Sequence, residues 1–512
     1  MNKIKSALTL VFALVSILVF AQPQPHTGPG EILQELKKLN VLGSTLYIAA
    51  HPDDENTRLI AWLANEKKLE TAYLSLTRGD GGQNLIGPEI REELGIIRTQ
   101  ELLAARRTDG GNQFFTRAND FGYSKHPDET FTIWDREKVL ADMVYVIRKW
   151  QPDVIITRFN TSPGTTHGHH TASAILAEEA MIAAADPKQF PEHINVTTQA
   201  WEVQRLFWNT SSWFFRGGEF DGSKYLKTNV GEYNQLLGES YSEIASRSRT
   251  MHKSQGFGST GSRGDEFDYL SPIRGEILDM NSMFSGINQT WSRIDGGRPI
   301  GLLIEKAIAD FNPEKPWEIV PTLTQAYAKL KALNVSFYKT QKLEQFENVI
   351  KACMGLYIDF TASTFRAAPG ETMQVKAEMI NRSPIKASAK VYYIKGTSLD
   401  GQINIELPKN EVRNLDLEYK VEQKMEISQP YWLIEEGTLG TYAIPSKKMT
   451  AKPENEPAML AVLRVEIEGV NVDFESPVEF KKNDPVKGEF RRPFVFSPPM
   501  FVKLSDEVYL FT

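Results

Sequence analysis

The apolar run Thr45-Leu46-Tyr47-Ile48-Ala49-Ala50 leads directly into His51-Pro52-Asp53-Asp54-Glu55. An unbroken apolar run of this length predicts a strand buried on both faces, as in a parallel sheet. Residues 55–67 then carry Leu59, Ile60, Trp62 and Leu63 at helical spacing. Working outward, residues 71–76 read as a strand, 88–107 and 136–150 as helices, 153–157 as a strand and 171–185 as a helix. Such alternation predicts an α/β fold, a Rossmann-like parallel sheet with helices on both faces.

Residues 195–300 are less periodic. They hold an aromatic cluster (Trp201, Phe207, Trp208, Trp213, Phe214, Phe215) that reads either as core packing or as a sugar-stacking face. Residues 254–264 are rich in glycine and serine and read as a mobile lid or a plain surface loop. Two helical patterns follow, at 317–333 and 341–354. From about Leu356 the period becomes two: Met373, Val375, Ala377 and Met379 alternate with Gln374, Lys376 and Glu378, and Leu463, Val465 and Ile467 with Arg464, Glu466 and Glu468. That pattern predicts a C-terminal all-β sandwich of antiparallel strands. The expected organisation is a signal peptide at 1–21, a catalytic α/β domain at 30–300, a helical connector at 301–355 and a β-sandwich accessory domain at 356–512. The strand-like residues 508–511 at the end suggest that this last domain is incomplete.

Composition is that of an ordinary globular chain: 512 residues, 41% hydrophobic and 24% charged, with a net charge of −7. With no basic run, a nucleic-acid partner held through phosphate contacts is not expected. The single cysteine, Cys353, excludes an intrachain disulfide framework and reads as a buried core thiol. Lys3 and Lys5 precede the apolar stretch from Ala7 to Phe20 and the small-residue pattern Val19-Phe20-Ala21, the marks of a secretory signal peptide. No cysteine lies near that point for lipid attachment, and no later segment is apolar enough to span a bilayer. The mature protein is therefore expected to be secreted or periplasmic.

All eight histidines lie at or before His252, which confines histidine chemistry to the first half. Three loops there each follow an expected parallel strand: residues 51–55, residues 77–84 (Thr77-Arg78-Gly79-Asp80-Gly81-Gly82-Gln83-Asn84) and residues 158–170, which end His167-Gly168-His169-His170. In open α/β sheets such loops converge on one crevice at the carboxyl ends of the strands. Two imidazoles and a carboxylate with one open position make a catalytic zinc site, and a neighbouring carboxylate off the metal can handle protons.

Ala50-His51-Pro52-Asp53-Asp54-Glu55 together with His167-x-x-His170 resembles the PIG-L/LmbE family of zinc-dependent N-deacetylases, over about residues 40–300. The resemblance implies Zn2+ held by His51, Asp54 and His170, with another divalent metal such as Fe2+ as the alternative. It implies Asp53 as general base and His167 as oxyanion stabiliser or acid. It matches Arg98 to an arginine that holds substrate, Asp80 to an acid that contacts the sugar and Asp120 to a further family carboxylate. The family often has Asp before its last His where this chain has His169. His169 and His170 are thus both candidates for the last ligand, and the three-residue offset from His167 favours His170. The expected activity is hydrolysis of the acetyl group from an N-acetylated sugar or glycan of the N-acetylglucosamine type. The alternatives are a zinc amidase on another N-acyl amine and a carbohydrate-binding protein without turnover.

Overall fold

A computed structural model describes residues 27–502 apart from 165, 197, 216 and 217, so the expected signal peptide and the strand-like 508–511 lie outside the described residues. The chain separates into two units, one of Gly28–Cys353 with Gln429–Asn455 and one of Met354–Ser428 with the residues from Glu456 on.

In the first unit, α1 (Pro29–Leu39) precedes β1 (Ser44–Ala49), α2 (Thr57–Asn65), β2 (Glu70–Ser75), α3 (Glu92–Asp109) and β3 (Asn112–Phe115). Next come α4 (Pro127–Ile133), α5 (Arg136–Trp150), β4 (Val154–Thr157), α6 (Gly168–Ala185) and β5 (Arg205–Thr210). β6 (Leu226–Asn229), the hairpin β7 (Tyr233–Asn234) and β8 (Glu239–Ser240), α7 (Tyr241–Arg249) and β9 (Phe267–Arg274) follow. Three further helices, α8 (Arg298–Ala309), α9 (Val320–Ala332) and α10 (Phe337–Met354), close this stretch.

The sheet has seven strands in the order β3-β2-β1-β4-β5-β9-β6. Strands β3 to β5 are parallel, with Ala49 opposite Ser75 and Thr45 opposite Val154. All six residues of β1 are buried, as the unbroken apolar run requires. Beyond β5 the sheet continues with β9 and β6, both antiparallel, so the expected parallel sheet carries a mixed edge. Helices flank the sheet, as in the expected Rossmann-like α/β fold. The chain runs outward through β1, β2 and β3 and then returns to place β4 on the other side of β1. That reversal is the topological switch point, where α/β sheets bind ligands. Cys353, at the end of α10, is buried as expected, and burial pushes its thiol up to about 12.

The second unit contains β10 (Tyr357–Ala362), β11 (Arg366–Ala367), β12 (Thr372–Ile380), β13 (Ala387–Lys395), β14 (Asp400–Glu406), β15 (Arg413–Lys420), β16 (Leu460–Ile467), β17 (Val470–Asp484), β18 (Gly488–Pro493) and β19 (Val495–Phe496). Eight of these form one sheet, in the order β14-β13-β16-β17-β10-β12-β15 with β18 on β17, and β11 pairs with β19. The long β17 joins its halves, pairing with β16 through Pro477 and with β10 and β18 from Val478 onward. Met373, Val375, Ala377 and Met379 are buried, in the period-two register expected of β12. Two pairs depart from the antiparallel expectation among the described residues, since β10 runs parallel to β17 and β11 parallel to β19.

Asp359 of β10 is 1% exposed in its side chain and accepts from Lys481 Nζ at 2.6 Å, Arg491 Nη2 at 2.8 Å and Tyr357 Oη at 2.8 Å. Burial alone would raise its carboxyl, but Arg491, Lys481 and Tyr357 outweigh it and hold it at about 2. Folding thus lowers this carboxyl below its unfolded value of about 4. Its contribution is complete above that value and is lost as pH falls toward 2. Asp359→Asn is expected to destabilise this unit by about 3 kcal/mol at neutral pH, the low end for a broken buried pair, because Arg491 keeps Glu479 at 3.0 Å and Glu489 at 2.7 Å. Amide hydrogen exchange of β10 at pH 7 and pH 3 checks this: the gap between variant and wild type should narrow at the lower pH.

Candidate metal centre

The loop after β1 and the first turn of α6 meet at the switch point. The first loop is tightly wired. Asp54 Oδ2 accepts from the His51 backbone N–H at 2.8 Å and faces His51 Nδ1 at 3.1 Å, while Tyr73 Oη donates to the His51 carbonyl at 2.5 Å. Asp53 sits at φ +91°, a left-handed conformation uncommon for a non-glycine residue. Two contacts hold it there: its N–H donates to Glu55 Oε2 at 2.8 Å, and Arg98 Nη2 donates to its Oδ2 at 2.7 Å. Arg98 is 3% exposed, and also donates to the carbonyls of Pro52 at 2.5 Å and Gly79 at 3.0 Å. A Cβ at Gly79 would lie 2.4 Å from the guanidinium, so only glycine admits this approach.

Helix α6 begins at Gly168, three residues before the start expected from periodicity, so His169 and His170 sit in its first turn with His167 as N-cap. Gly168 permits the close packing of that turn: a Cβ there would meet the His126 carbonyl at 2.4 Å and the hydroxyls of Ser124 and Thr130 at 2.5 and 2.6 Å. His170 stacks on Phe159 at 3.8 Å and places Nε2 3.4 Å from Asp54 Oδ1. His169 is fully buried, stacks on Trp134 at 4.9 Å and faces His51 Nε2 through Nδ1 at 3.0 Å. The His167 ring lies 3.8 Å from that of His170 and 5.1 Å from that of His51.

Two groups of donor atoms could hold a metal ion, each within 4.8 Å: His51, His167 and His170, and His51, Asp120 and His169. Asp54 bridges His51 and His170 in the first. The donor set fits a divalent ion. Nδ1 of His167, Nδ1 of His170 and Nε2 of His169 are buried without a hydrogen-bond partner among the described residues. Neutral imidazole is the ligating form. Burial, with His170 and His51 alongside, pushes His167 down to about 3. Burial and the neighbouring rings hold His169 far below its usual value, and burial lowers His170 against the pull of Asp54. At His51 burial also opposes the charge, but Asp120 and Asp54 outweigh it and raise the ring. Burial likewise works against the Asp54 carboxylate, but His170 and His51 hold it well below its usual value. Asp53 moves the opposite way: burial, opposed by Arg98 and aided by Asp54, raises it to about 6. The two adjacent acids therefore differ in proton affinity.

A cleft of about 600 Å³ opens onto this cluster, with Asp53, Asp54, Phe159 and His170 in its wall. Arg98, Asp80 and Asp120 are not in that wall among the described residues. Arg98 is committed to Asp53. Asp120 lies 3.8 Å from His51 Nε2 and 3.7 Å from His169 Nδ1, and its N–H faces Asp80 Oδ2 at 3.5 Å. Asp80 is 4% exposed and accepts from Tyr442 Oη at 2.5 Å, and burial raises its carboxyl to about 6. In the aromatic cluster Phe207 and Phe214 are core, whereas Trp213 is 61% exposed and lines the cleft. The glycine/serine stretch is anchored at its start, where Ser254 donates to Glu101 through both N–H and Oγ at 2.6 Å.

One network has no signal in residue spacing. Glu55 Oε1 takes His252 Nε2 at 2.9 Å and Arg106 Nη2 at 3.1 Å, all fully or nearly fully buried. Burial opposes its charge, but His252 and Arg106 prevail and hold Glu55 at about 2. It stays charged and keeps the Asp53 N–H fixed. His252 stands out in the sequence only as the last histidine.

Residues 46–181, from β1 into α6, match the PIG-L family model, described as GlcNAc-PI de-N-acetylase. The chain carries a PIG-L domain. Its relatives include 1D-myo-inositol 2-acetamido-2-deoxy-alpha-D-glucopyranoside deacetylase 1 of Catenulispora acidiphila, 30% identical over 183 residues, covering 32% of this chain and 54% of the relative. Mycothiol S-conjugate amidase of Streptomyces coelicolor is 26% identical over 176 residues, covering 32% and 59%. The chain spans little more than half the length of these curated relatives. Among solved structures, an N,N'-diacetylchitobiose deacetylase from Pyrococcus horikoshii with its inhibitor MPG aligns at a TM-score of 0.31 and 18% identity, covering 41% of this chain and 70% of that one. The PIG-L match contains both histidine segments of the site. Among the described residues no helix is long and apolar enough to cross a membrane.

Proposed function

We propose that the PIG-L domain is a zinc-dependent N-deacetylase that hydrolyses the acetamide of an N-acetylated sugar or glycoconjugate to acetate and a free amine. The observation that carries this reading is the division between two adjacent acids: Asp54 engages His51 and His170, while Asp53 stands against Arg98 in the wall of the same cleft. His51, Asp54 and His170 would hold the ion. His170 is preferred to His169 because it lines the cleft, whereas His169 is fully buried against Trp134. A divalent ion bound there supplies a Lewis acid for the amide carbonyl and a water of lowered pKa. Asp53 takes the proton of the attacking water at its carboxylate and returns it to the departing nitrogen. Arg98 aims that carboxylate and Glu55 fixes its backbone. His167, neutral, donates a ring N–H to the developing oxyanion. Asp120, backed by Asp80, orients His51 from beneath. The N-terminal pattern of Lys3, Lys5 and the apolar stretch to Ala21 supports export to a secreted or periplasmic compartment.

Acetate release from N-acetylglucosamine and its oligomers should be lost with a chelator and restored by Zn2+. The reading is overturned if the zinc-loaded protein releases no acetate from any N-acetylated sugar. Metal analysis of variants tests the ligand assignment. His170→Ala should lose the ion, His169→Ala should retain most of it, and the reverse result would exchange their roles. A relative named as an amidase favours a second reading, with a larger acyl group in place of acetyl. Amine release without acetate from such substrates would select it.

A further inference from the structure

Resting on the deacetylase reading for the acetamide, we infer that the cleft beside the metal centre is an anion subsite, so that the substrate is an N-acetylated sugar bearing a carboxylate or a phosphate. Every acid in the cleft wall already has a partner: Asp54 has His51 and His170, Asp53 has Arg98, Glu55 has His252 and Arg106, and Glu266 has Arg58. Arg58 is satisfied in turn by Glu266 and Asp268. Among the described residues, two arginines in the wall are left, Arg158 and Arg249.

Neither has a carboxylate in ion-pair range among the described residues. Arg158 reaches the Asn209 amide oxygen at 3.5 Å, faces the Tyr47 hydroxyl, lies 5.5 Å from the Phe214 ring, and interacts with the Asp268 carboxylate from beyond ion-pair distance. Arg249 stacks over Phe257 at 4.3 Å. Stacking fixes a guanidinium plane while leaving its N–H edge available for a planar or tetrahedral oxyanion. Both residues are half-buried, where an uncompensated charge is screened less than at an open surface. Hydroxyls of Ser259 and Thr260 line the same cleft, and the exposed Trp213 offers a face on which a sugar ring can lie. The acetamide end of such a substrate meets His170 and Asp53, and its anionic end meets the arginine pair.

Acetate release and calorimetric binding are measured with N-acetylglucosamine, N-acetylglucosamine 6-phosphate and N-acetylmuramic acid. At least one anionic sugar should exceed the neutral one in kcat/KM and in affinity by about tenfold or more, the effect of a hydrogen bond to a charged group. The sugar that gains tells phosphate from carboxylate. Arg158→Gln and Arg249→Gln should each reduce that ratio, and Arg249→Glu should reduce it further. If the neutral sugar is used and bound as well as both anionic ones, or the ratio survives these substitutions, the anion subsite is refuted and the deacetylase reading stands. Arginine-dependent anion binding without turnover of any of the three would count against the deacetylase reading and retain the subsite. Absence of both overturns both.

Discussion

Asp53→Asn is expected to lower the kcat for acetate release by about 10²–10⁴, the contribution of a general base, while the protein keeps its metal. The substitution isolates the proton-accepting role. Asn tolerates positive φ better than most residues, so the +91° conformation of residue 53 is not newly strained. Its side-chain oxygen can still accept from Arg98, which donates to Asp53 Oδ2 at 2.7 Å, and its N–H can still donate to Glu55. Asp54, engaged with His51 and His170, is untouched. Metal content by elemental analysis should therefore match wild type, in contrast with His170→Ala. Loss of metal along with activity would make Asp53 a ligand, and retained activity would remove it from the chemistry altogether.

The parallel core was legible because burial on both faces leaves a run without polar interruption, and β1 is such a run. The converging loops were legible for the same reason, since each follows a strand of that kind. Boundaries were less so. Helix α6 starts at Gly168 because the first turn packs against Ser124 and Thr130, residues more than thirty positions away, which no local period reports. The antiparallel edge was hidden because the exposed half of β9, Ser271–Arg274, lacks an alternating pattern. Ligand-type residues were visible as residue types, whereas the contacts that set their roles were not. Glu55 and His252 are 197 residues apart, and Arg98 reaches Gly79, Asp53 and Pro52 across 19, 45 and 46 positions.

Residues 429–455 were the least legible part of the chain, and they carry the second large effect: Trp432→Ala is expected to cost the first unit about 3–5 kcal/mol, as truncation of a buried tryptophan does. Period-two segments before and after this stretch suggest a continuous β domain, yet it packs within the unit that holds the candidate metal site. Backbone bonds tie it there, from Tyr442 N–H to the Arg117 carbonyl at 2.8 Å, from Asn119 N–H to Gly440 at 2.9 Å and from Phe115 N–H to Ala451 at 3.2 Å. Its centre is Arg78, 1% exposed, whose guanidinium lies between Trp432 at 3.5 Å and Phe115 at 4.4 Å. Arg78 donates to Thr99 Oγ1, Tyr431 Oη and the carbonyls of Lys452 and Pro453. Removing the indole uncovers this buried charge as well as opening a cavity, whereas Trp432→Phe keeps an aromatic face over the guanidinium and should recover part of the loss. The same segment supplies Tyr442 to Asp80, which backs Asp120 beneath His51. A chain ended at residue 355 therefore lacks part of the unit that holds the candidate site and, on the proposed function, should fold poorly and release no acetate. Denaturation midpoints for Trp432→Ala and Trp432→Phe against wild type decide the matter. An unchanged midpoint for the alanine variant would show that residues 429–455 do not support the site.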